Sequence, residues 1–145
     1  MKSWKLKAVL ILVAACGLSA VLTGCLTSKT VEEANLNGEW LVVDKPDGWT
    51  DSRYVFKGDQ MDIYHVIKEK TVHMSTWSLL VFPGSSTEGK ITATCTSDYY
   101  GNPPGKGKRI NMVYKRSGDA LSISFAVEAE NIASQTYKLG FKLNK

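Results

Sequence analysis

The sequence predicts an all-β protein, in the form of a compact antiparallel up-and-down β-barrel of about eight strands. Short stretches alternate apolar with polar residues and are rich in β-branched and aromatic side chains, which is typical of strands. Clusters of Gly, Pro, Asn, Asp and Ser separate these stretches at short intervals. Closure into a barrel removes exposed sheet edges, and a two-sheet β-sandwich is the alternative that fits the same alternation.

The strands follow one another along the chain after a polar segment that ends near Asn35. In the first, Trp40 and Val42 share one face, and in the third, Met61 and Ile63 do so. Turn clusters at 46–48, 57–59, 83–86, 101–105 and 117–119 mark breaks between strands. The only plausible helix is a short one around 127–134, where Asn131 and the length argue against a long one. The predicted strands are 37–44, 53–56, 60–67, 71–81, 89–97, 109–115, 120–127 and 135–143.

Residues 1–24 have the three-part form of an export signal. Lysines precede an apolar stretch at 8–21, and small residues follow it. The run Leu-Thr-Gly before Cys25 resembles the lipobox of bacterial lipoproteins, which implies cleavage there and acylation of Cys25. Cys16 ends a competing match, and an uncleaved membrane anchor is the other alternative. We therefore expect a protein anchored by lipid in the cell envelope, with palmitate-like acyl chains holding it to the membrane.

The location of the anchored protein depends on the envelope. The residues after Cys25 do not include the aspartate that resembles an inner-membrane retention signal. This implies the outer membrane if the organism has two membranes.

The remaining chain divides into a lipidated N-terminus and tether at 25–35 and a barrel domain at 36–145. Of the 18 basic residues, three lie before Gly24. The remainder of the chain therefore has 18 − 3 = 15 basic residues and 14 acidic residues. This near balance argues against a nucleic-acid partner. Cys95 is then the one unmodified cysteine, expected to be a buried structural thiol rather than half of a disulfide.

The start of the first strand carries a family resemblance. Gly38-Glu39-Trp40 resembles the Gly-x-Trp motif that opens lipocalins, and the strand order resembles the lipocalin-like domains of bacterial lipoproteins. The resemblance implies that Trp40 closes one end of the barrel under a basic side chain, for which Lys138 and Lys142 are the candidates.

Catalytic and metal chemistry find little support in the sequence. There is no Gly-x-Ser-x-Gly motif, and the two histidines, His65 and His73, are fewer than the three or four ligands that zinc takes. A three-residue turn at 68–70 would set these histidines opposite one another, and a shift of one residue would put them on different faces. We expect no enzyme activity, no metal and no cofactor.

The barrel interior is the remaining candidate site. An eight-stranded barrel is either filled by its own side chains or holds one small ligand. A cavity here would be lined by apolar residues: Trp40, Met61, Trp77, Cys95, Met112, Tyr114, Phe125, Tyr137 and Phe141. The first hypothesis is therefore a binding protein for a small hydrophobic ligand. The second is a solid-core barrel that binds an envelope or host protein through loops 45–52, with Trp49, and 97–108, with Tyr99 and Tyr100.

Overall fold

The protein is a closed antiparallel barrel of eight strands. A computed structural model describes residues 27–101, 105–129 and 132–145. Each strand pairs with the next along the chain, and β1 pairs with β8 to close the ring. Closure excludes the two-sheet sandwich. The strands are β1 (Gly38–Asp44), β2 (Ser52–Lys57), β3 (Gln60–Ile67), β4 (Lys70–Pro83), β5 (Glu88–Asp98), β6 (Arg109–Ser117), β7 (Ala120–Ala129) and β8 (Ile132–Leu143).

All eight predicted strands are present, but the expected helix at 127–134 is wrong. β7 continues to Ala129 and β8 begins at Ile132, and the two strands pair as far as these residues. Cross-strand pairing joins β7 and β8 up to Ala129 and Ile132, whereas an isolated helix of two turns would gain little from its own hydrogen bonds.

The hairpin between β3 and β4 decides where the two histidines point. Its turn has two residues, Lys68 and Glu69, with φ angles of 47° and 66°, as a type I′ turn requires. His65 therefore pairs with Val72, and His73 pairs with Tyr64. The histidines lie on different faces of the sheet, so the three-residue turn is not formed.

The antiparallel meander gives the barrel two distinct ends. The connections after β2, β4 and β6 lie at one end, together with the N-terminal segment before β1 and the end of β8. The connections after β1, β3, β5 and β7 surround the opposite end. We call the first the closed end and the second the mouth.

The closed end is plugged by residues that the sequence had assigned to the tether. The backbone N–H of Lys29 donates to Val81 O at 2.8 Å, which joins the N-terminal segment to β4. Val31, Ala34 and Leu36 then bury their side chains under the strands. Residues 29–35, which the prediction places in the tether at 25–35, thus pack against the barrel.

A reciprocal pair of hydrogen bonds shapes this plug. Thr30 N–H donates to the Glu33 carboxylate at 2.8 Å, and Glu33 N–H donates to Thr30 Oγ1 at 3.2 Å. This is the arrangement of a capping box, which holds a turn by satisfying two free donors. The neighbouring carboxylate of Glu32 accepts a hydrogen bond from Gly58 N–H at 2.8 Å, and this bond lowers the pKa of Glu32.

Trp40 lies directly above the plug, fully buried. Its indole Nε1 donates to Leu36 O at 2.8 Å. The guanidinium of Arg116 lies 5.4 Å from the centre of the indole ring, within the range of a cation–π contact, and its Nε donates to Gly118 O at 3.0 Å. The basic side chain over Trp40 therefore comes from β6, and the expectation of Lys138 or Lys142 is wrong. Both of these lysines are exposed.

Candidate functional site

A cavity opens at the mouth and narrows towards the middle of the barrel. The mouth cavity has a volume of about 440 Å³, and a deeper pocket has about 50 Å³. They lie one above the other, because the same side chains form the floor of the first and the walls of the second: Tyr54, Ile63, Trp77, Ile110 and Phe125. The larger volume falls in the range of small-molecule sites, while the smaller one holds only a few atoms.

The deep pocket exists because small and flexible side chains face each other across the barrel. Ala93 on β5 leaves space beside Trp77, and Met61 and Met112 line the same pocket. Methionine adapts its shape more easily than branched side chains do. The pocket is therefore apolar, and its walls can adjust to an apolar group.

One wall of the mouth is aromatic. Trp49, on the connection between β1 and β2, lies 5.1 Å from Tyr137 and 6.3 Å from Phe125, measured between ring centres. A hydrogen bond from Trp49 N–H to Pro46 O at 3.2 Å helps to hold its loop. With 38% of its surface exposed, Trp49 forms a lip that a guest can contact from inside.

The wall across the mouth is more polar. His65, Ser75, Cys95 and Asp98 line it, and Ser75 Oγ accepts a hydrogen bond from the Trp77 indole at 2.8 Å. Desolvation lowers the pKa of His65, which favours the neutral imidazole. Desolvation and the nearby Asp98 carboxylate raise the pKa of Cys95, which favours the thiol over the nucleophilic thiolate.

Burial also acts on Tyr54, on the floor of the mouth. It raises the pKa of this phenol to about 12, so the side chain is neutral over the physiological range. The floor therefore presents an uncharged surface to a guest.

The structure divides the predicted lining residues into two groups by depth. Met61, Trp77, Cys95, Met112, Phe125 and Tyr137 line the cavity or its mouth. Trp40, Tyr114 and Phe141 are buried away from both cavities and fill the barrel towards its closed end. Alternation identified the inner face, but it contains no information about height along the barrel axis. Cys25, the predicted lipidation site, lies outside the described residues.

Several lining residues were missing from the sequence-based set. Tyr54 and Ile63 share inward faces with Phe56 and Met61, so the same alternation would have found them. Trp49 and Asp98 lie on or beside connections, where strand periodicity gives no direction. Their position depends on how the loops fold over the mouth.

The second histidine belongs to a network on the outer wall. His73 Nε2 lies 3.0 Å from Asp62 Oδ1, which also accepts a hydrogen bond from Thr76 at 2.6 Å. The ring of His73 stacks on Tyr64 and contacts Tyr99. The network ties the β3–β4 hairpin to the loop after β5. Within the described ranges, no group of three or more His, Cys, Asp and Glu side chains is arranged to hold a metal ion.

Comparisons with known proteins add no relative. No protein-family model, no curated protein and no solved structure matches the chain. In the part of the chain that the structure describes, a membrane-crossing helix of sufficient length and apolarity was not found.

Proposed function

We propose that the protein is a lipid-anchored lipoprotein of the cell envelope whose lipocalin-like barrel binds a small hydrophobic molecule without catalysis. The observation that carries the proposal is the mouth cavity of about 440 Å³ above an apolar pocket. The aromatic lip at Trp49 and the neutral floor at Tyr54 support the same conclusion, since both offer apolar contact without a charge.

The dimensions of the cavity indicate how a guest would lie. Its narrowest apolar end would enter the deep pocket beside Ala93, and the larger part would rest between Trp77 and the aromatic lip. Burying about 200 Å² of apolar ligand surface contributes roughly 5 kcal/mol at about 25 cal/mol per Å². The loss of translational and rotational freedom offsets part of this, so we expect a dissociation constant of about a millimolar or weaker for a guest of this size.

The envelope location rests on residues 1–25. The export signal and the lipobox-like run before Cys25 support acylation, which would make the membrane the constant partner of the protein. In an organism with two membranes the proposed site is the outer membrane. Fatty-acid labelling of the wild-type chain and of Cys25→Ala tests this part. Retained labelling in the variant would contradict acylation of Cys25 and would indicate Cys16 as the acylated residue.

The binding proposal is tested by titrating a neutral apolar probe, N-phenyl-1-naphthylamine, against tryptophan fluorescence. Ala93→Leu fills the deep pocket and should weaken binding, whereas Ala126→Leu adds the same atoms to an exposed position on β7 and should not. Circular dichroism establishes that both variants are folded. A wild-type protein that gives no saturable response would contradict the proposal.

Exposed aromatic side chains around the mouth favour a second candidate function, recognition of an envelope or host protein. Tyr99 is 55% exposed and Tyr100 is 59% exposed, and both lie in the loop after β5, across the mouth from Trp49. Tyrosine and tryptophan are enriched in protein interfaces. Crosslinking of the anchored protein in cells tests this function. Tyr100→Ala should reduce the crosslinked product, whereas Val43→Ala, on the exposed wall of β1, should leave it unchanged.

A further inference from the structure

The outer wall of the barrel carries an apolar patch between lysines, near the closed end. Leu80 on β4 is 49% exposed and Val113 on β6 is 46% exposed. Phe82 pairs with Lys90, and Lys90 pairs with Val113, so these three side chains form one row across β4, β5 and β6. We propose that this patch, made of Leu80, Phe82, Lys90, Val113 and Lys115, rests on the lipid headgroups of the membrane that holds the anchor.

The position where the chain leaves the barrel supports this orientation. Lys29 pairs with Val81 in antiparallel direction. Because β4 runs towards the closed end, the antiparallel segment at Lys29 runs towards the mouth, so the chain reaches Lys29 from the side of the closed end. The inference rests on the proposed acylation of Cys25. Four residue steps separate Cys25 from Lys29 and span at most about 14 Å, at roughly 3.5 Å per residue.

The patch lies close to this exit. Neighbouring strands are about 4.8 Å apart, so β4, β5 and β6 all lie within about 15 Å of the backbone of Lys29. A lipid anchor on so short a tether therefore keeps the closed end near the membrane surface, with the patch at its rim within reach of the headgroups.

The chemistry of the patch fits a headgroup layer. Apolar side chains gain burial where headgroups meet acyl chains, and lysines are attracted to anionic lipids over distances of about one Debye length. Lys115 also lies 3.4 Å from Glu88, an exposed pair that costs little to rearrange.

The outer wall at β1 also carries exposed apolar side chains near a lysine. The position where the chain leaves the barrel shows which of the two walls is nearer the anchor. Leu41 and Val43 on β1 are exposed, and Leu41 pairs with the exposed Lys142 on β8. In a ring of eight strands, however, β1 is diametrically opposite β5. The anchor that brings the β4–β6 wall to the membrane therefore carries the β1 wall away from it, which makes the β1 wall a matched control.

Site-directed spin labelling of the acylated protein tests the proposal. The label is placed at Lys90→Cys on β5 or at Val43→Cys on β1, two exposed positions on diametrically opposite strands. The protein is bound to vesicles of phosphatidylcholine and phosphatidylglycerol in which some headgroups carry a nickel chelate. We expect several-fold faster relaxation of the label at position 90 than at position 43. Leu80→Ser with Val113→Ser should reduce this difference, while Leu41→Ser should preserve it.

Equal relaxation at the two positions, or faster relaxation at position 43, would overturn the proposal. Flotation with the vesicles separates this result from a failure of the anchor. Protein that floats but shows no difference would overturn the membrane-facing patch alone. Protein that does not float would overturn both the anchor and the patch, and titration with the apolar probe tests the cavity independently of either.

Discussion

Filling the deep pocket with two methyl groups should stabilise the barrel. Ala93 lies on an inward face beside a void of about 50 Å³, and it pairs with Leu79 and Ile110 on the neighbouring strands. Ala93→Val adds two carbon atoms. At about 0.8 kcal/mol for each buried methyl group, the gain is at most about 1.6 kcal/mol. We expect a net gain of about 1 kcal/mol, since part of the gain is lost to local adjustment.

A control is needed because valine also favours strands more than alanine does. Ala126→Val makes the same change on an exposed position of β7 and measures that preference alone. Urea unfolding of the three proteins gives the free energies of unfolding. Ala93→Val should exceed Ala126→Val in stability by about 1 kcal/mol and should bind the apolar probe more weakly than the wild-type protein. A destabilised Ala93→Val protein would show that the pocket is too tight for two methyl groups and would refute the reasoning.

Three further changes test the packing of the barrel. A Cβ on Gly89 would lie 2.6 Å from Phe82 O and 2.8 Å from the Tyr114 ring, so Gly89→Ala should cost about 1–3 kcal/mol in urea unfolding, and an equally stable variant would contradict this packing. Arg116→Ala should lose about 1 kcal/mol and alter Trp40 fluorescence because the cation over the indole is removed, whereas Lys138→Ala should do neither. Burial raises the pKa of Tyr54 from 10.0 to about 12, so its contribution is fully present below pH 10 and is lost as the pH rises to 12. The loss at pH 12 should be about 2 kcal/mol, and Tyr54→Phe should show a correspondingly weaker decline of stability with pH.

The strands were predictable because each has one face buried and one face exposed to water, which leaves an alternating pattern. Gly38-x-Trp40 likewise indicated the closed end, where Trp40 is indeed buried. The plug at 29–35 was not predictable from alternation. It buries only Val31, Ala34 and Leu36 from a polar segment, and its turn depends on backbone contacts with β2–β3 and β4.

Other features depend on register and depth, which a linear pattern does not contain. The sequence placed a turn at 68–70, but its two-residue form at Lys68 and Glu69 uses positive φ angles without glycine, so no residue type indicated its length. Arg116 lies over Trp40 because β6 ends at the closed end. The resemblance to lipocalins had instead implied a basic residue near the last strand. The division of the inner face into cavity and solid core follows from height along the barrel axis.

The most direct test of ligand binding uses the methionine methyl groups as reporters. After Met1, the chain has three methionines: Met61 and Met112 line the deep pocket, and Met74 lies at the mouth. Selective ¹³C labelling of their methyl groups allows a neutral apolar probe to be followed by NMR. Binding in the cavity predicts saturable shifts of all three signals with one common affinity. Shifts confined to Met74, or no shift at any concentration of the probe, would contradict it.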